Sequence, residues 1–149
     1  MTVLVESELR LEPSALALRA LGGWLAEATG VLDEDTRRQV LGRAELAVHE
    51  ACMNVVDHAH LPEGTDLSLR LVLSTEHLTV WVCDAGEEFH LSEVATPPTD
   101  TLQERGYGVK IIRSLVSDLT YRRSGSRNEL EMRIDLEPHP ATKDGDHDL

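Results

Sequence analysis

The stretch AELAVHEACMNVVDHAH, residues Ala44–His60, decides how this chain folds. Its apolar residues recur at the three- and four-residue spacing that places them on one side of an α-helix. Together with one residue upstream, that apolar stripe consists of Val40, Ala44, Ala47, Ala51 and Val55. Glu50 and Asn54 fall at its edge, one helical turn apart. A carboxylate and a carboxamide beside a buried face need polar partners, so this helix is the first place to look for a site.

Length and charge limit the classes of protein that this chain can represent. A chain of 149 residues is the size of one domain, which we place at residues 1–136, followed by an acidic tail at 137–149 that we expect to be disordered. The net charge is −13, from 14 basic and 27 acidic residues. Such a surface repels a phosphate backbone, so we expect no direct binding of nucleic acid.

The sequence gives no sign of a membrane segment or of an oxidising compartment. No apolar run approaches the roughly 18 residues that a membrane span needs, and the N-terminus lacks the pattern of a secretory signal. Cys52 and Cys83 form no CxxC pair and are typical of small buried residues in a reducing compartment. We therefore expect no membrane association and a cytoplasmic location.

The N-terminal half predicts one strand and two helices. Residues 2–11 alternate weakly and indicate a strand. Pro13 suits the first turn of a helix running towards Gly30. Asp33 can cap a second helix, which we extend to about His60.

The C-terminal half predicts four strands and one more helix. Alternating apolar residues indicate strands at 67–73 and 78–82, and a helix follows at about 108–117. Residues 87–105 have little periodicity and predict a long loop. The last two strands, Leu119–Arg123 and Glu129–Leu136, form a hairpin across Ser124-Gly125-Ser126. The predicted fold is α/β, as an α+β two-layer sandwich with a mostly antiparallel sheet and helices on one face.

Two interpretations of Glu50 and Asn54 stay open from the residues alone. Mg²⁺ takes hard oxygen ligands, often from only one or two side chains together with nucleotide phosphates and water. The same pair could instead satisfy the polar groups at the end of a neighbouring strand. His58 lies a further turn along the same side, and taken alone it favours a structural role over a catalytic one.

Two glycine-bearing turns follow downstream. Asp84 ends an apolar strand, and with Gly86 it could accept a hydrogen bond from an adenine amino group or simply form a turn. Gly106-Tyr107-Gly108 opens a helix, whose free N–H groups could hold phosphates, with Arg105 beside them. No P-loop or Rossmann glycine pattern occurs. His49-Glu50 begins like a zinc-protease motif, but Met53 occupies the place of the second histidine.

Three stretches in this order resemble the N, G1 and G2 boxes of the GHKL (Bergerat-fold) ATPase superfamily, which includes gyrase and the histidine kinases. They are ELAVHEACMNVVDHA at Glu45–Ala59, VWVCDAGEEF at Val80–Phe89 and RGYGVKIIRSLVSD at Arg105–Asp118. The resemblance extends from about residue 5 to 136. Within the superfamily, the chain looks most like the anti-sigma-factor serine/threonine-protein kinases.

The resemblance implies a role for each site residue. Glu50 would act as general base, Asn54 would coordinate Mg²⁺, and Asp84 would bind the adenine of ATP beside Gly86. Gly106 and Gly108 would frame a lid over the phosphates, formed by residues 88–105. The full set implied to bind nucleotide is Asn54, His58, Asp84, Gly86, Arg105, Gly106, Tyr107 and Gly108.

The resemblance also implies partners, and the chain departs from the family pattern in places. Kinases of this kind phosphorylate a serine on a STAS-domain antagonist protein and alternatively bind a sigma factor, often as homodimers. Glu104 and Arg105 stand where a glycine is common, and Tyr107 replaces an aliphatic residue. Asn128-Glu129 replaces the Gly-Thr that often begins the last strand.

The sequence leaves two other functions to consider. A GHKL-fold module could act only by binding its protein partners, without catalysis. The chain could also be the ATPase domain of a histidine kinase, but we expect otherwise, since no dimerisation segment with a phosphoacceptor histidine precedes the domain.

Overall fold

Five strands form the sheet of the computed structural model, which describes residues 2–88 and 109–136. The strands are β1 (Val3–Leu11), β2 (Leu67–Ser74), β3 (His77–Asp84), β4 (Asp118–Ser124) and β5 (Arg127–Asp135). Their order across the sheet is β1-β2-β3-β5-β4, and every neighbouring pair is antiparallel. The predicted antiparallel sheet is therefore confirmed, and each predicted strand is present.

The alternation of leucines in β2 sets which side of the sheet is buried. Leu69 pairs with Val82 and Leu71 with Val80, and all four side chains are buried. Side chains of a strand alternate between the two faces, so the intervening residues point away from the core. Arg70 and Trp81 occupy that outer face, with the guanidinium 4.1 Å from the centre of the indole ring.

The first helical segment differs from its prediction at the N-terminal end. The chain forms a 3₁₀ turn at Ala17–Arg19 before α1 (Ala20–Ala28), and a second 3₁₀ turn follows at Thr29–Val31. The expectation that the helix starts at Pro13 is wrong. The Ser14 hydroxyl accepts a hydrogen bond from the Ala17 amide at 3.1 Å, which stabilises a turn in place of the first helical residues.

The second helix, α2 (Glu34–His58), forms as predicted. The Asp33 carboxylate caps it by accepting a hydrogen bond from the Thr36 amide at 2.9 Å. Its predicted apolar stripe packs on the sheet, with Val40, Ala44, Ala47 and Ala51 buried and Val55 half-buried. After the helix, His60 turns the chain away with a φ of 53°.

Residues 109–115 are helical and form the described part of α3. Two of its residues, Val109 and Ile112, are buried. The Arg43 Nε of α2 donates to the Leu115 carbonyl at 2.7 Å, which joins the C-terminal end of α3 to α2. The turn that joins β4 to β5 contains Gly125 at a φ of 61°, a left-handed conformation that favours glycine.

Several predictions fall outside the described ranges. They concern the loop and lid at 89–105, the glycine turn Gly106–Gly108 with Arg105, and the tail at 137–149. Within residues 2–88 and 109–136, no helix combines the length and apolarity that a membrane span needs.

Candidate functional site

A cavity of about 240 Å³ lies where α2, α3 and the ends of β3 and β5 meet. Its apolar walls include Val55, Val82, Val109, Ile112 and Leu130. Its polar lining includes Asn54, Asp84, Glu87, Tyr121 and Asn128. A mostly apolar cleft with a few convergent polar groups is the usual form of a small-molecule site.

Asp84 is the buried carboxylate of this cavity, with only 4% of its surface exposed. Its Oδ1 accepts two hydrogen bonds, from the Gly86 amide at 2.7 Å and from the Asn128 Nδ2 at 2.9 Å. Within the described part of the chain, no donor reaches Oδ2. The predicted Asp-x-Gly turn therefore exists and uses Oδ1, and Oδ2 could accept a further hydrogen bond from a donor in the cavity.

Gly86 is needed because the chain approaches the end of α2 closely. A Cβ atom placed on Gly86 would lie 2.5 Å from the Ala59 carbonyl oxygen and 2.6 Å from the Ala59 Cβ. The next amide, that of Glu87, donates to the same carbonyl at 2.7 Å. Packing of backbone against backbone thus accounts for this glycine.

Asn128 is the site residue that sequence reasoning missed, since it was noticed only as a departure from a family pattern. It is 4% exposed and lies directly opposite Asp84 in the pairing of β3 with β5. Its amide group contacts residues of β3, β4 and the turn at 85–87. A buried asparagine at a strand start, where alternation places it on the core side, is the signal that could have revealed it.

Glu50 and Asn54 are both half-buried on α2, and Asn54 lines the cavity. Among the described residues, neither side chain forms a hydrogen bond with the protein, so the strand-capping alternative gains no support. Their polar atoms are still accessible to solvent, because the one buried side-chain nitrogen without a partner in these ranges is the Arg37 Nε. The pair is therefore open to a ligand.

Comparison with known proteins assigns the fold to a family. The model of the histidine kinase-like ATPase domain matches residues 8–134. The chain belongs to that family. The predicted GHKL resemblance is thereby confirmed, and the cavity of this ATPase domain lies between its N-box helix, α2, and the strand that ends at Asp84.

The curated relatives of this ATPase domain include serine-protein kinases. RsbW of Bacillus mycoides is 28% identical over 83 residues, which cover 50% of this chain and 52% of that protein. RsbW of Halalkalibacterium halodurans is 28% identical over 109 residues, covering 61% and 67%. The chain spans about half the length of most curated relatives it matches.

Solved structures agree with the ATPase-domain fold. The RsbU and RsbW domains of a Mycobacterium tuberculosis protein align with a TM-score of 0.66 at 15% identity, covering 91% of this chain and 34% of that one. A blue-light activated histidine kinase from Erythrobacter litoralis aligns through its kinase domain with a TM-score of 0.52 at 25% identity, covering 78% and 61%. The first likeness shows the fold alone.

The oxygen ligands in the cavity suit a magnesium ion that is shared with a nucleotide. Within the two described ranges, no group of three or more His, Cys, Asp or Glu residues could hold a metal by itself. Mg²⁺ bound by one or two side-chain oxygens and by phosphates needs no such group. Asn54 would supply the protein ligand, and its amide oxygen is a hard donor of the required kind.

The other predicted site residues lie outside what the structure describes. His58 is the last residue of α2, and its side chain is not described. Arg105, Gly106, Tyr107 and Gly108 precede the described part of α3. Their roles stay predictions.

Cys52 offers no nucleophile near the site, because burial, and secondarily the charge of Asp84, raise the pKa of its thiol from 9.0 to about 12.

Proposed function

We propose that this chain is an ATP-dependent protein serine kinase and an anti-sigma regulatory factor. It would phosphorylate a serine on a STAS-domain antagonist protein and sequester a sigma factor. The observation that carries the proposal is the orientation of Asp84. Its Oδ1 is engaged by two donors, so that Oδ2 is available to an amino group in a largely apolar cavity.

The base and phosphate ends of ATP would be recognised by different residues. The adenine amino group would donate to the Asp84 Oδ2, and the apolar walls formed by Val82 and Ile112 would contact the ring. The phosphates would extend towards Asn54 on α2 and towards Val109, the first described residue of α3. One ATP molecule would thus bind both polar ends of the cavity, with its base at Asp84 and its phosphates near Asn54.

Phosphoryl transfer requires chiefly positioning, neutralisation of charge and a base near the attacking hydroxyl. Mg²⁺, when bound, supplies positive charge to the phosphates. Asn54 would hold that ion at the phosphate end of the site through its amide oxygen. Glu50, one turn earlier on α2, would accept the proton of the serine hydroxyl as its oxygen bonds to the γ-phosphorus and ADP leaves.

The relatives support the choice of a protein serine as acceptor. The named relatives are serine-protein kinases, and one aligned structure contains an RsbW domain beside an RsbU domain. The net charge of −13 suits a partner with a basic surface. The proposal includes a homodimer, in which each protomer would present an acidic surface to a basic partner.

Calorimetric titration of ATP with Mg²⁺ tests the nucleotide site. We expect micromolar binding by the wild type and at least about tenfold weaker binding by Asn54→Ala and Asp84→Asn, since each loses a direct polar contact. Asp57→Ala, at an exposed position on the same helix, is the matched control and should bind like the wild type. Absence of wild-type binding at millimolar ATP would reject the kinase and favour a module that acts only by binding proteins.

A further inference from the structure

Three polar side chains form a row across the sheet, and the first two of them line the cavity. Asp84 on β3 is paired with Asn128 on β5, and Asn128 is paired with Arg123 on β4. The proposed function uses only the first of these residues. The middle one, Asn128, is almost completely buried. Its side chain forms hydrogen bonds that the backbone pairing of its strand does not require.

The neighbours of Asn128 fix which way its amide points. Its Oδ1 accepts from the Arg123 Nη1 at 2.8 Å and from the Tyr121 hydroxyl. A guanidinium can only donate, so the oxygen must lie on that side. The Nδ2 therefore faces Asp84, where it donates to Oδ1 at 2.9 Å.

The same Nδ2 also fastens the turn that follows Asp84. It lies 2.8 Å from the Glu87 carbonyl and 3.2 Å from the Gly86 carbonyl, and the Arg123 Nη1 lies 3.1 Å from the latter. The turn is held on its other side by the end of α2, through the Glu87 amide and the Ala59 carbonyl. Asp84 thus has little freedom to rotate its carboxylate.

We propose that Asn128 is the positioning residue that makes the cavity select a base with an exocyclic amino group. By holding the Asp84 Oδ1, it leaves Oδ2 as a fixed acceptor directed at the ligand. A base without a donor at that position would leave the buried acceptor unpaired, which sites of this kind reject strongly. This inference rests on the proposed nucleotide site and names the residue that sets its selectivity.

The test is a thermodynamic cycle of binding affinities, in which both the protein and the nucleotide are varied. ATP and purine riboside triphosphate, which differ only in the 6-amino group, are titrated with Mg²⁺ into the wild type and two variants. Asn128→Ala removes the amide. Asn128→Leu keeps the approximate size but carries no donor to Asp84, so it covers the case in which the alanine variant does not fold. Glu129→Gln, the next residue on the outer face, is the matched control.

We expect both Asn128 variants to bind ATP at least about tenfold more weakly and to bind the purine analogue almost as the wild type does. The preference for ATP would then disappear in the variants and persist in Glu129→Gln. Equal weakening of both nucleotides would overturn the inference and reduce Asn128 to a structural role. Unchanged ATP binding would overturn it as well. A wild type that binds neither nucleotide would reject the proposed site itself, which is a different result from either of these.

Discussion

Two groups of residues lie at or beside the cavity, and they differ in how many hydrogen bonds they form with the protein. We call Asp84, Gly86, Asn128, Tyr121 and Arg123 the Asp84 network, and Glu50 with Asn54 the α2 pair. The network is joined by hydrogen bonds across three strands. The α2 pair forms none with the described residues. The difference teaches that the fold by itself arranges the Asp84 network, whereas the α2 pair stays accessible; in the proposed site, a ligand would supply its partners.

That division follows from what each end would bind. A base edge has a fixed shape and fixed donors, so an acceptor held in place loses little entropy on binding. Phosphates and Mg²⁺ bring their own charge and their own water. A half-buried carboxylate and amide that stay accessible to solvent can change partners as the reaction proceeds.

The largest expected effect distinguishes catalysis from binding within the α2 pair. Glu50→Gln should reduce phosphoryl transfer to a STAS-domain protein by about 10²- to 10⁴-fold, because the general base is lost. ATP affinity should stay nearly unchanged, since Glu50 forms no part of the cavity lining. Transfer of the γ-phosphate from labelled ATP measures this, with Glu45→Gln on the exposed side of α2 as the control. Normal turnover by Glu50→Gln would remove the assignment.

The next effect concerns the backbone of the Asp84 network. Gly86→Ala should lower the free energy of unfolding by about 2 to 3 kcal/mol, because the added Cβ meets the Ala59 backbone. Gly23→Ala is the matched control. Gly23 lies within α1 with nothing within 4 Å of its Cβ position, so the same change should stabilise by about 0.5 to 1 kcal/mol. Denaturant unfolding of both variants tests the difference in sign, and equal values would contradict it.

The smallest effect separates the two groups by stability alone. Asn128→Ala should cost about 2 kcal/mol, because Asp84 and Arg123 lose a buried partner. Asn54→Ala should change stability by less than about 0.5 kcal/mol, since no protein hydrogen bond is lost. Thermal unfolding without nucleotide measures both. A large loss in Asn54→Ala would show that the α2 pair is structural after all.

Most of the fold could be predicted from local patterns. The alternating leucines of β2 and the apolar stripe of α2 reflect which residues must leave water, and that requirement repeats with the period of each element. The start of α1 could not be predicted in this way. Pro13 is compatible with a helix start, but the Ser14 hydroxyl stabilises a competing turn by a contact that periodicity does not record.

The residues of the candidate site also differ in whether local sequence could reveal them. Asn54 and Asp84 could be singled out from the sequence because a polar residue at the edge of an apolar pattern is visible locally; both line the cavity, and their roles stay predictions. Asn128 was not, because its importance depends on a neighbour 44 residues away in the chain. Glu50 was found in the same way as Asn54, and its role stays a prediction.

The sequence by itself determined the family and most of the elements, because each depends on short-range spacing, and it predicts which residues could bind a nucleotide. Only the tertiary structure decided that β5, and not β4, lies beside β3. That choice of neighbour and its register place Asn128 opposite Asp84, and they are set by closure of the whole sheet. The orientation of the buried carboxylate is therefore a property of the fold, although the carboxylate itself is visible in the sequence.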